Sequence, residues 1–159
     1  MPLSEEQRPL VSDFRAWLES GLAGDNRFVS QERDDREDDS TLATRWPVNE
    51  HVWLEVALRP FLPQVRVGIL SDDRWKSEDW EEKIQESGDT MSEFVEMGLH
   101  EAGLDWPEPP VEHYRAQLKY FYFATPVELD SLNQLQDAAF RHKVRKMLDG
   151  YYKAFEAYL

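Results

Sequence analysis

The chain reads as an α+β fold: an antiparallel sheet packed with an N-terminal helix, middle helices and a long C-terminal helix. Apolar residues recur at three- and four-residue steps near both ends of the chain and again in its middle. Between residues 41 and 70 the period drops to two, and the connections are too short for crossover helices, so a three-stranded meander is expected. A further period-two run lies at 113–124, which predicts at least one later strand. With 159 residues, the chain is expected to form a single domain over 1–159 with one core.

The first helix is expected to start near Pro9, since proline suits the first helical turn; Leu10, Phe14, Trp17 and Leu18 then mark its buried stripe. An alternative start at Ser4 would use Gln7 as its capping-box partner. Gly21 and Gly24 offer stops. In the second strand of the meander Val52, Leu54, Val56 and Leu58 take one face, leaving Trp53 on the other. In the third, Val65, Val67 and Ile69 do the same. Pro47 places the first strand at an edge or ends it there.

Ser77 reads as the cap of a helix over "EDWEEKIQES", and Thr90 with Glu93 forms a capping box for the next, which Gly103 ends. "HYRAQLKYFYFA" (113–124) reads as one continuous strand. "ATPVELDSL" then combines Thr125, Pro126 and Glu128 in the order of a helix start, so the final helix is expected to begin there and run through Leu132, Leu135, Phe140, Met147 and Tyr151. Gly150 reads as a kink or division.

Charge and composition exclude more than they select. The net charge of −14 repels a phosphate backbone, and no apolar run reaches the length of a membrane helix, so neither nucleic acid nor membrane is expected as a partner. No cysteine is present, so disulfides, thiolate catalysis and Cys-bound metals are out. The start, "MPLSEEQRPL", lacks the basic and apolar regions of a signal peptide; a cytoplasmic location is the expectation.

Two charged segments stand out. "SQERDDREDDST" (30–41) holds six carboxylates and two arginines. Calcium loops need a glycine turn among alternating oxygen ligands; this one has none, so Asp34–Asp39 is expected as a solvated loop. Its natural counterpart is "RHKVRK" (141–146), with Arg141, Lys143, Arg145 and Lys146, toward which the loop is expected to be drawn. That basic segment reads as internal charge balance rather than as a nucleic-acid surface. Glu96 and His100 share a helical face as a metal pair would, but two ligands make no site. No nucleophile elbow, phosphate loop or dinucleotide fingerprint occurs. Neither catalytic residues nor a cofactor nor a metal is therefore expected.

The element order, small size and acidity resemble the α+β fold of type III secretion chaperones. In that family an N-terminal helix precedes a three-stranded meander, a helix, further strand and a closing helix. This chain departs in a longer final helix and in having one clear strand after the middle helices. The resemblance implies a non-catalytic, protein-binding dimer and assigns no site residue.

The expected function is a non-enzymatic adaptor or chaperone-like module. Trp53 is expected as an exposed aromatic on a sheet face, hence as a protein-binding residue. Phe140 and Tyr151 lie on a second apolar band of the final helix, which is expected to bind a protein partner or form a homodimer. The alternative is an acidic inhibitor or immunity-type protein that blocks a basic partner such as a nuclease: residues 72–101 hold eleven acids against three basic residues. An enzyme of unrecognised type is the third reading.

Overall fold

A computed structural model describes residues 3–159 of the chain. Four helices, α1 (Gln7–Leu22), α2 (Arg74–Ser87), α3 (Met91–Glu101) and α4 (Ala138–Phe155), accompany six strands. The strands are β1 (Glu32–Asp35), β2 (Leu42–Asn49), β3 (Val52–Arg59), β4 (Gln64–Ser71), β5 (Glu112–Ala116) and β6 (Tyr120–Glu128). They form one antiparallel sheet in the order β1-β2-β3-β4-β6-β5.

The expected meander is present as β2–β4, and its alternation has the expected cause. Leu54, Val56 and Leu58 pair with Ile69, Val67 and Val65 across the ladder, and with Val52 all are buried in the main hydrophobic cluster. The helices lie over that face. α4 packs on β3 and β4, α2 on β4 and β6, α3 on α4, and α1 on α4 and on a 3-10 turn at Leu132–Gln136. Phe123, Trp80 and Phe155 meet at the centre, with Trp80 5.1 Å from Phe155.

The sheet is larger than the sequence suggests, at both edges. The acidic stretch is not a loop throughout: Glu32–Asp35 is edge strand β1, and Arg36–Thr41 closes its hairpin. Charges from its neighbours hold it there. Arg15 of α1 makes a two-pronged contact with Asp35 at 2.9 Å, Arg33 reaches Glu19, and Arg45 reaches Asp34 at 3.1 Å. The basic segment 141–146 takes no part. Its cations rest on aromatic faces and carbonyls instead: Lys143 lies 4.1 Å over Trp106, Arg141 stacks on Trp17, and Lys146 reaches the Gly103 carbonyl.

At the other edge, the single strand expected over 113–124 is a hairpin. Gln117 and Leu118 both take left-handed backbone, at φ +56°, and the chain turns back from β5 into β6. Neither residue is a glycine or asparagine, so the turn carries no local signal. Thr125, Pro126 and Glu128 do not start a helix. They lie in β6, paired with Val67, Arg66 and Gln64 of β4. β5 pairs with β6 only as far as Ala124, so Pro126 sits where the outer edge needs no donor. β1 likewise reaches only to Arg45, which leaves Pro47 unpaired on the outer side of β2.

The capping expectations divide. Thr90 and Glu93 form a complete reciprocal box. Ser4 and Gln7 also exchange the bonds of a capping box, while α1 itself runs from Gln7 with Pro9 in its first turn. Ser77 does not cap α2; Asp73 does, by accepting from the Trp75 amide, and Ser77 is buried inside the helix. Gly150 does not divide α4, which runs through it to Phe155. A Cβ at Gly150 would stand 2.8 Å from Leu99 Cα, and one at Gly98 would stand 2.3 Å from the Gly150 carbonyl. The two glycines therefore let α3 and α4 touch backbone to backbone.

Candidate functional site on the concave sheet face

Helices cover one face of the sheet; among the described residues no other element covers the opposite face, yet several charged groups on it are buried. Arg45 is 5% exposed and Glu55 6%. Sheet curvature explains this. In a flat sheet β2 and β6 would stand about 14 Å apart. Here Arg45 of β2 donates from Nη2 to the Tyr122 hydroxyl of β6 at 3.0 Å, across two intervening strands. A small cavity of about 70 Å³ is lined both by Asp34 and Arg36, at the β1 edge, and by Tyr114 and Gln117, at the β5 edge. The sheet thus curls around its own side chains, and this face is a concave cleft.

Its floor includes two pairs of small residues: Ala43 opposite Ala57 on β2 and β3, and Gly68 opposite Ala124 on β4 and β6. Gly68 is required. A Cβ there would meet the Phe123 carbonyl at 2.3 Å and Ala124 Cα at 2.7 Å, both on the neighbouring strand.

Glu55 anchors the centre. Its Oε2 accepts from Arg45 Nε at 2.7 Å and from the Tyr122 hydroxyl at 2.8 Å. Burial, with Glu55 beside it, pushes the Tyr122 phenol well above its usual range, so the hydroxyl remains a donor. Burial works against the Arg45 charge, but the Glu55 carboxylate outweighs it and Arg45 stays cationic. Tyr114 stacks on Tyr122 with centroids 4.8 Å apart and rings 3° from parallel. Arg66 donates to the Tyr114 hydroxyl at 2.9 Å and lies over its ring. Arg66 also stands 3.3 Å from Glu112, but poorly aligned: Arg66 Nε and Glu112 Oε1 are both buried without a hydrogen-bond partner.

Trp53 lies at one end of this cleft, half-exposed and edge-on to Tyr120 at 6.0 Å, with Arg45 under the Tyr120 ring at 4.7 Å. Its predicted place on the face opposite Val52 and Leu54 is therefore the observed one. The other two expected binding residues are not on a surface. Phe140 packs against Phe14 of α1 at 6.2 Å, and Tyr151 is fully buried with its hydroxyl 2.7 Å from Thr125 of β6. The second apolar band of α4 is covered by α1, α3 and the sheet within one protomer, so it gives no reason for a partner or a dimer. A single chain supplies the layer because α3 approaches so closely at Gly98 and Gly150.

Glu96 and His100 border a crevice on α3 with Met97 and Trp106, but they do not act together. Glu96 accepts from the Glu108 amide at 3.1 Å, while His100 meets Asp105. Among the described residues no group of three or more metal-ligating side chains converges, and no helix is long and apolar enough to cross a membrane.

The arginines of the concave face escaped sequence reasoning because alternation marks them merely as the solvated side of a sheet, and the tyrosines because 113–124 reads as one strand with Tyr114, Tyr120 and Tyr122 on a single face, not as a hairpin. The one available signal was compositional: Arg45, Glu55 and Arg66 interrupt strands that are otherwise apolar or small. No protein-family model, curated protein or solved structure matches this chain.

Proposed function

We propose that this chain is a non-enzymatic binding module, of adaptor or chaperone-like type, that takes a segment of another protein on its concave sheet face. The supporting observation is that this sheet face carries Trp53, Tyr114 and Tyr120 beside Arg45 and Arg66, with no element among the described residues laid over it. Tryptophan, tyrosine and arginine dominate the energetics of protein interfaces. These side chains are already stacked on one another, so docking orders little that is mobile. The resemblance to type III secretion chaperones implies a protein partner as well.

The acidic-inhibitor alternative would use residues 72–101. Much of that charge is engaged locally: Glu78 with Arg74, Glu81 with His113, Glu86 with Lys83, Glu93 in the α3 cap. The concave face is the better-supported surface.

The test is capture from a lysate of the source organism on immobilised wild-type chain and on Trp53→Ala, with folding of both checked by circular dichroism. Loss of one interface anchor lowers affinity by roughly thirtyfold, so a partner kept by the wild type should be largely lost by the variant. Capture indifferent to Trp53, together with turnover in a broad hydrolase screen, would reverse the proposal.

A further inference from the structure

We infer that the cleft contains a subsite for one carboxylate group, supplied by an acidic side chain of an extended peptide. This deepens the docking reading of the same face and rests on it. The cavity is too small for more than the head of a side chain, at about 70 Å³. Four arginines line it or reach it: Arg36, Arg45, Arg59 and Arg66. Arg45 is committed to Glu55 and Asp34. Arg36 and Arg59 have no ion-pair partner among the described residues. Arg66 is half-committed: it holds Tyr114, stands badly aligned to Glu112, and keeps a buried Nε without an acceptor. The guanidinium N–H groups of Arg36 and Arg59, free of any ion pair, can donate to an incoming oxyanion.

The charge balance selects the kind of anion. Four arginines outnumber the carboxylates beside them, Asp34 and Glu55 in the lining and Glu112 at Arg66, in a chain whose overall charge is −14. A phosphate dianion would meet twice the repulsion from the surrounding acids that a carboxylate meets. Arginine also pairs with carboxylates in two-pronged, planar geometry.

The probe is a capped peptide, acetyl-Gly-Gly-Glu-Gly-Gly-amide, titrated into the intact chain while the arginine Nε–Hε resonances are followed by NMR. The glutamine peptide and inorganic phosphate serve as comparisons. A single charged group binds in the millimolar range, so titration extends to about 20 mM. The glutamate peptide should move the Arg59 and Arg66 signals, the glutamine peptide should not, and Arg59→Gln should weaken the response roughly fivefold to tenfold. Arg36→Gln gives a second variant; neither side chain has an ion pair to lose on folding. Equal shifts with both peptides, or none with any probe, would overturn the oxyanion site. Shifts with phosphate but not with the glutamate peptide would overturn its assignment to carboxylate. The two readings separate cleanly. If a captured partner depends on Trp53 but not on Arg59, docking stands and the subsite falls. If the glutamate peptide binds while capture ignores Trp53, the subsite stands and protein docking falls.

Discussion

Gly150→Ala sets local helix propensity directly against tertiary packing. Gly150 lies well inside α4, where alanine is worth about 1 kcal/mol more than glycine in helix propensity. Propensity alone therefore predicts a more stable protein. The packing predicts the reverse. The new methyl would stand 2.8 Å from Leu99 Cα and 3.1 Å from Leu99 N, where ordinary contact begins at 3.4 Å. Both atoms are backbone of α3, so no rotamer change relieves the overlap; the helices must separate. Forcing an extra carbon into a filled core costs typically 1–3 kcal/mol, and a rigid neighbour places this site toward the upper end. After the propensity gain, a net loss of about 1–2 kcal/mol remains, a fall in melting temperature of roughly 2–8 °C at this chain length. Gly21→Ala in α1 is the control. There the methyl meets only the tip of the flexible Arg145 side chain, so the change should be neutral or stabilising by up to about 1 kcal/mol. Urea unfolding followed by circular dichroism reads both, provided the m-values match. A Gly150→Ala midpoint equal to or above the wild type would refute the close helix crossing.

Removing Arg45 should be far more damaging than its place on the uncovered sheet face suggests. Arg45→Ala strands the buried Glu55 carboxylate and should cost about 3–5 kcal/mol, read as a drop in urea midpoint; a loss under about 1 kcal/mol would mean the face is open to water. Acid sensitivity should trace partly to Asp25. The Arg27 guanidinium donates to its carboxyl and holds it below the ordinary value of 3.8. A depressed folded value contributes stability that is present above the unfolded value and lost as pH falls through the folded one. The stability gap between wild type and Asp25→Asn should therefore narrow as pH drops from about 5 to 3, and a gap that widened would contradict that sign.

Legible from the chain alone is whatever depends on near neighbours or on one face needing to be apolar. The β2–β4 meander is legible because Val52 to Leu58 and Val65 to Ile69 must place every second residue in the core. The Thr90–Glu93 cap is legible because its two bonds lie within one turn. Tertiary structure decided the rest wherever distant partners outweighed such signals. Thr125, Pro126 and Glu128 spell a helix start worth about 1 kcal/mol as a cap. A ladder with β4 and a buried bond from Thr125 to Tyr151 outweigh it, and both partners are remote in sequence. The acids at Glu32–Asp35 have no strand signature; Arg15 and Arg45, brought in by α1 and β2, make them an edge strand. The concave face is the extreme case. Alternation could place Trp53 there, but only curvature accumulated over six strands brings Arg45 against Tyr122 and turns a solvated-looking stripe into a cleft.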